Sequence, residues 1–227
     1  MNAVLYYSNT GESKRIAEYI SAQTGYGICD ITQTEQFTYE NAVIVFPVYC
    51  QNVPKTVCKF LSQLSARHLA LIATYGKMGY GNVLNEIQRK FNHDIIAGAY
   101  IPAKHAYLNE PRFDAFDLLA PLLNKLNAPV TVKIPRSRKN PFANFIPKFR
   151  SQIGCKIVKD ATLCNNCGMC NSVCPEQAIN CGIPNKKCIR CMHCVETCPN
   201  KALQILLKQP MKKYLSKQKI NKTVIYV

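Results

Sequence analysis

Cys164, Cys167, Cys170 and Cys174, followed by Pro175, write the pattern C-x2-C-x2-C-x3-C-P, and Cys188, Cys191, Cys194 and Cys198, followed by Pro199, write it again. Thiolates at this spacing suit iron-sulfur clusters. Three of them, from one tight loop, reach three corners of a cubane, while the fourth starts the next helical turn and points away. The ligands should therefore cross over, with Cys164, Cys167, Cys170 and Cys198 holding one 4Fe-4S cluster and Cys188, Cys191, Cys194 and Cys174 the other. CNNCGMCNSVCPEQAI and CIRCMHCVETCPNKAL align without a gap at a period of 24 residues, so the segment reads as a pseudo-twofold duplication. Structural zinc would bring paired C-x2-C motifs or histidines at longer spacing, and a disulfide framework would need an exported chain. His193 lies inside the second run, where cysteines already fill every ligand slot, so it reads as a cluster-lining or surface residue.

A second constellation stands at the other end of the chain. The apolar, β-prone run at residues 2–7 ends in Ser8, Asn9, Thr10, Gly11, Glu12 and Ser13, and the helix-patterned KRIAEYISAQ follows. Hydroxyls and a glycine at a helix N-terminus gather backbone N–H donors at the positive end of the dipole, which suits a phosphate. The loop has neither the G-x-x-x-x-G-K-[ST] pattern of a nucleotidase nor the G-x-G-x-x-G of a dinucleotide site.

The elements that must position these residues alternate. Strands are expected at 26–31, 41–48, 68–74 and 93–101, and helices at 13–23, 54–64, 80–91 and 113–127. With the first strand this makes a doubly wound α/β unit with a five-stranded parallel sheet.

Residues 160–207 resemble the bacterial-type two-cluster 4Fe-4S ferredoxins, down to the prolines and the pairs Ala178-Ile179 and Ala202-Leu203 that follow them. The S-x-T-G-x-S string resembles the FMN-phosphate loop of flavodoxins. As a whole, the chain is similar to the prokaryotic flavodoxin-ferredoxin fusion proteins over residues 1–207. The resemblance implies a flavodoxin-like sheet of order 2-1-3-4-5, a small α+β ferredoxin domain behind it, and two 4Fe-4S clusters and FMN as cofactors. The flavin would lie beyond the strand ends at the switch point, with the phosphate on residues 8–13. Its ring would be flanked by Pro47, Val48, Tyr49, Cys50, Gln51 and Asn52 and by Tyr75, Gly76, Gly79, Tyr80, Gly81 and Asn82. Tyr49, Tyr75 and Tyr80 are the candidates for the ring faces, and the glycines would let backbone approach the flavin. Residues 47–53 contain no glycine, a departure from the flavodoxin pattern.

Composition sets the remaining bounds. The chain has 227 residues and 48% hydrophobic content, enough for two domains and a substantial core. Its first residues carry no signal-peptide pattern and no run is long enough for a membrane span, so a cytoplasmic protein without a membrane partner is expected. Thirteen cysteines fit a reducing compartment, and exposed 4Fe-4S chemistry fits an anaerobic one. Cys29, Cys50, Cys58, Cys155 and Cys181 lie outside the two runs and read as buried free thiols.

The net charge of +16 is unevenly placed. Residues 1–127, the flavodoxin-like domain, and 160–207, the ferredoxin domain, each carry +1, whereas the linker at 128–159 carries +8 and the tail at 208–227 carries +6. Each oxidised cluster with its thiolates adds about −2, which the basic flanks partly offset. In the linker Phe142, Phe145 and Phe149 are expected to pack on a domain, and TVIYV at the C-terminus could add an edge strand.

These readings converge on electron transfer, with single electrons passing between two 4Fe-4S clusters and FMN and exchanged with an acidic electron-carrier protein or redox enzyme. Another possibility is a flavin-dependent oxidoreductase of a small substrate, for which Lys104, His105 and Tyr107 could supply protons. A third is an iron-sulfur sensor binding nucleic acid through the basic flanks. No nucleic-acid motif supports it, and nucleic acid is not the expected partner.

Overall fold

The computed structural model describes residues 1–143, 147–217 and 220–227. The chain divides into two compact units, one of residues 1–105, 109–143 and 219–227, the other of residues 106–108 and 144–218. Composition alone divides the chain at 127, 159 and 207. The contacts instead leave the linker to residue 143 in the first unit and return the chain end to it.

The first unit opens with β1 (Asn2–Tyr6), α1 (Glu12–Thr24), β2 (Gly27–Asp30), β3 (Thr38–Pro47), α2 (Lys55–Leu61), β4 (Ser65–Tyr75), α3 (Val83–Phe91), β5 (Ile95–Pro102) and α4 (Ala120–Asn127). β1 pairs in parallel with both β2 and β3, β3 with β4, and β4 with β5, which is the 2-1-3-4-5 order. The central strands are near-continuous apolar runs because helices cover both faces of a parallel sheet. All eight residues of β5 are buried. Leu5, Ile44, Phe46 and Leu71 pack on one face, and Val4, Val43, Ile72 and Ile101 on the other, as the period of two requires.

The second unit contains α5 (Pro147–Gly154), β6 (Cys155–Lys159), α6 (Met169–Ser172), β7 (Ile179–Asn180), β8 (Ile183–Pro184), α7 (His193–Glu196), β9 (Leu203–Leu207) and α8 (Gln209–Leu215). β6 and β9 form an antiparallel pair, and β7 and β8 a hairpin. The duplication shows in the backbone as well as in the cysteines. Asn166, Gly168 and Gln177 have positive φ, and so do Arg190, Met192 and Lys201, each 24 residues on. The core is small, built from Ile157, Ala178, Ile179, Met192 and Leu203 around the cysteines, so this unit depends on something besides apolar burial.

The chain then returns to the first unit. β10 (Val224–Tyr226), the expected C-terminal strand, pairs antiparallel with β5, giving the six-stranded order β10-β5-β4-β3-β1-β2. Phe145 lies outside the described residues, as do the side chains of Phe142 and Phe149. Among the described residues no helix is long and apolar enough to cross a membrane.

Candidate functional site

The cysteines of the second unit line two cavities. Cys164, Cys167, Cys170 and Cys198 share one. Cys174, Cys188, Cys191 and Cys194 share the other. Each cavity takes three cysteines from one run and the fourth from the other, the grouping that the spacing predicts. His193 lines the second cavity, and the residue 24 positions earlier, Met169, lines the first.

The backbone explains how short loops can do this. Left-handed residues at Asn166 and Gly168, and at Arg190 and Met192, reverse the chain between cysteines. Alternation of left- and right-handed residues turns successive amides inward into an anion-binding concavity of the kind that iron-sulfur sites use. Two thiols of the second cavity are desolvated. Burial pushes Cys194 up to about 12 and Cys191 up to about 11, and neighbouring cysteines add to both. The thiolate forms of these two cysteines are therefore costly unless iron compensates their charge. Among the described residues no three donor side chains converge as they would around one metal ion. The donor chemistry is what a 4Fe-4S cubane takes, four cysteines lining each cavity, so both cysteine sets fit one.

In the first unit the loops after β1, β3 and β4 meet beyond the carboxyl ends of adjacent strands. Gly11, at φ 84°, caps the N-terminus of α1 in a left-handed conformation that suits glycine, and a Cβ there would meet only open space. The Arg15 N–H donates to the Gly11 carbonyl at 3.0 Å, and the amides ahead of it, of Glu12, Ser13 and Lys14, have no partner inside the helix. Ser8 and Thr10 are half-buried beside it, whereas Asn9, Glu12 and Ser13 are buried. Asn9 Nδ2 donates to the Tyr49 hydroxyl and to the Tyr7 hydroxyl at 3.4 Å, which ties the first loop to the second. Ser13 and Thr74 share a hydroxyl hydrogen bond of 2.9 Å, which ties α1 to the end of β4.

Glu12 puts a carboxylate at the first helical position, where the dipole favours it but a phosphate would not. Two guanidiniums offset it, with Arg112 Nε 3.3 Å from Oε1 and Arg15 Nη1 3.9 Å from Oε2. By formal charge one carboxylate stands against two guanidiniums at this loop, a balance that admits an anion. Neither arginine was identified from sequence, since Arg112 lies in an irregular stretch with no motif.

Several predicted ring-flanking residues have other work. Tyr75 is buried, and its hydroxyl donates to the Lys222 carbonyl at 2.7 Å and accepts the Lys222 N–H at 3.1 Å. Tyr80 stacks on Tyr100 with centroids 4.1 Å apart. Asn82 is buried and accepts the Ser137 N–H at 2.7 Å. The glycines make room for protein. A Cβ on Gly76 would stand 2.7 Å from His105 Cδ2, and one on Gly81 2.7 Å from Gln51 Cβ. Gly79 likewise faces the Gln51 side chain.

Gln51 and Asn52 are held by the linker. Gln51 Oε1 accepts the Asn140 N–H at 2.8 Å, Asn52 Nδ2 donates to the Ala143 carbonyl at 2.9 Å, and Lys139 Nζ donates to Asn52 Oδ1 at 2.9 Å. Tyr49 bridges to Asn52 across Cys50 and Gln51, whose φ of 49° and 65° make a tight left-handed turn without glycine. Pro47, Val48 and Tyr49 are half-buried at this loop and Cys50 is exposed.

Tyr107 belongs to the second unit, where its hydroxyl donates to the Arg190 carbonyl at 2.9 Å, and the backbone N–H of His105 donates to Glu110 at 2.7 Å. The cysteines outside the two runs are not uniformly buried. Cys155 is buried, Cys29 and Cys58 are intermediate, and Cys50 and Cys181 are exposed.

Residues 3–92 match a family model described as a flavodoxin domain, and residues 156–179 and 183–204 match two models each described as a 4Fe-4S binding domain. A solved structure titled "Structure of a flavodoxin from the domain Archaea" is 17% identical, over 56% of this chain and 99% of that one, with a TM-score of 0.40. No curated protein matches the chain.

Proposed function

We propose that this chain, in which a flavodoxin domain precedes two 4Fe-4S binding domains, passes single electrons between two 4Fe-4S clusters and a bound FMN and exchanges them with an external redox protein. The domains support an electron-transfer role and imply both cofactors. The observation that carries the reading is the sharing of cysteines: each cavity is lined by three from one run and one from the other. When bound, a flavin takes up electrons singly or in pairs and a cluster takes one, so the pair can join one-electron to two-electron chemistry.

The chain's own residues bind and orient. Cys164, Cys167, Cys170 and Cys198 would hold one cluster, and Cys188, Cys191, Cys194 and Cys174 the other. The α1 amides, with Ser8, Thr10 and Gly11, would take the FMN phosphate while Arg15 and Arg112 balance Glu12. Tyr49, positioned by Asn9, would lie against the ring.

The test is anaerobic stopped-flow reduction by a reduced acidic ferredoxin. In the intact chain, cluster and flavin absorbance should bleach in sequence. In Cys194→Ala, flavin reduction should slow by at least an order of magnitude. Equal rates would place the clusters off the path.

A further inference from the structure

Besides its four expected ligands, the first cavity has a fifth cysteine among its lining residues, Cys181. The duplication shows that this is a departure. A shift of 24 residues carries the first cysteine run onto the second, and the reverse shift carries Pro199 and Leu203 of the first cavity onto Pro175 and Ile179 of the second. The same reverse shift carries Cys181 onto Ile157, which lines the second cavity. One half of the repeat places sulfur where the other places an apolar side chain.

Turn chemistry does not account for the cysteine. Cys181 and Gly182 join β7 to β8 with φ of 43° and 84°, a two-residue turn with both centres left-handed. Such turns favour asparagine, aspartate or glycine at the first position, and other side chains are strained there. The turn nevertheless holds Cys181 at the cavity. Asn171 Oδ1 accepts the Cys181 N–H at 3.0 Å and the Cys170 thiol at 3.4 Å, so one carboxamide oxygen fixes Cys181 beside one of the four ligands.

We propose that Cys181 is a reserve ligand for the cluster of the first cavity, able to take the iron site of Cys170. In the exchange the iron–sulfur bond to Cys170 breaks and one to Cys181 Sγ forms. The proton of the Cys181 thiol passes to the released Cys170 thiolate, and no electron is gained or lost. A cluster with a spare ligand survives loss or modification of Cys170. The second cavity has no such cover at the position matching Cys181, because Ile157 cannot bind iron. The inference rests on the assignment of clusters to the two cavities.

The test uses anaerobically purified full-length protein, with iron and sulfide counted per chain and Cys181 alkylation by iodoacetamide read by peptide mass spectrometry. The intact protein should hold about eight iron, as two cubanes require, with Cys181 open to alkylation. Cys170→Ala should keep its iron while Cys181 becomes protected, and Cys170→Ala/Cys181→Ala should lose iron from that cavity. Cys194→Ala, at the cavity without a spare cysteine at the matching position, should lose iron from that cavity. Equal iron in Cys170→Ala and its double variant, or continued alkylation of Cys181 in the single variant, overturns the proposal. If Cys170→Ala does not fold, Cys170→Ser decides, and continued alkylation of Cys181 in that variant overturns it. An intact protein without iron and sulfide sinks the cluster assignment itself, a separate result.

Discussion

Burial and mutual repulsion make the thiolate forms of Cys191 and Cys194 costly, and Cys174 contributes to the repulsion at both. Cys174 comes from the other run but lines the same cavity as Cys188, Cys191 and Cys194. Cys191→Ala and Cys174→Ala should therefore remove the same electron-paramagnetic signal, leaving the other cluster intact. Damage to different clusters would refute the shared set.

The hydroxyls of the first loop should separate into two roles. Thr10→Ala should weaken FMN but not riboflavin in fluorescence titrations, because hydrogen bonds to a charged phosphate are worth roughly 1.5–3 kcal/mol each. Ser13→Ala should instead cost about 1 kcal/mol of stability in urea unfolding, since its hydroxyl is buried against Thr74. Riboflavin binding as tightly as FMN would remove the phosphate from this loop.

Among the elements, the C-terminal strand has the clearest consequence. β10 covers the free edge of β5, and just before it Ile220 N–H donates to the Lys77 carbonyl at 2.7 Å while Lys222 closes on the Tyr75 hydroxyl. The loop after β4 is thus pinned by the end of the chain. Tyr75→Phe leaves two Lys222 backbone groups without this partner, and should cost about 1–3 kcal/mol, read as a lower urea midpoint, with weaker FMN binding. Unchanged stability and affinity would make the latch incidental.

The elements of the first unit were largely legible in the sequence, since alternating apolar runs mark parallel strands and their helices. β3 starts at Thr38 and β4 at Ser65, each three residues before its expected start, because polar strand ends do not stand out from loops. The Tyr75 latch was not legible, since it joins residues 147 apart through one hydroxyl. Nor was the linker's grip on Gln51 and Asn52, because Lys139 and Asn140 look like any basic, proline-rich spacer. Both groupings of cysteines followed from their spacing, while Cys181 did not stand out because its partners come from elsewhere in the repeat.

Over the whole molecule, charge is set apart from the cofactor segments. The stretches at 128–159 and 208–227 carry +14 of the net +16, and Lys208, Lys212, Lys213 and Lys217 are exposed. Opposite fields raise encounter rates with an acidic partner, and the gain fades as salt shortens the Debye length below about 10 Å. Reduction by an acidic ferredoxin should slow along a salt series in the intact chain, and much less with these four lysines changed to glutamine. A rate indifferent to both would assign the charge to something other than docking.

The central claim is that one polypeptide holds two clusters and a flavin as exchanging redox centres. It is tested most directly by counting iron, sulfide and flavin in anaerobic protein and titrating the same sample with dithionite under ultraviolet-visible and electron-paramagnetic monitoring. About eight iron, about eight sulfide and one FMN per chain are expected, with about four reducing equivalents taken up and two separate cluster signals. Stoichiometric zinc with little sulfide, or full clusters without a bound flavin, would contradict it.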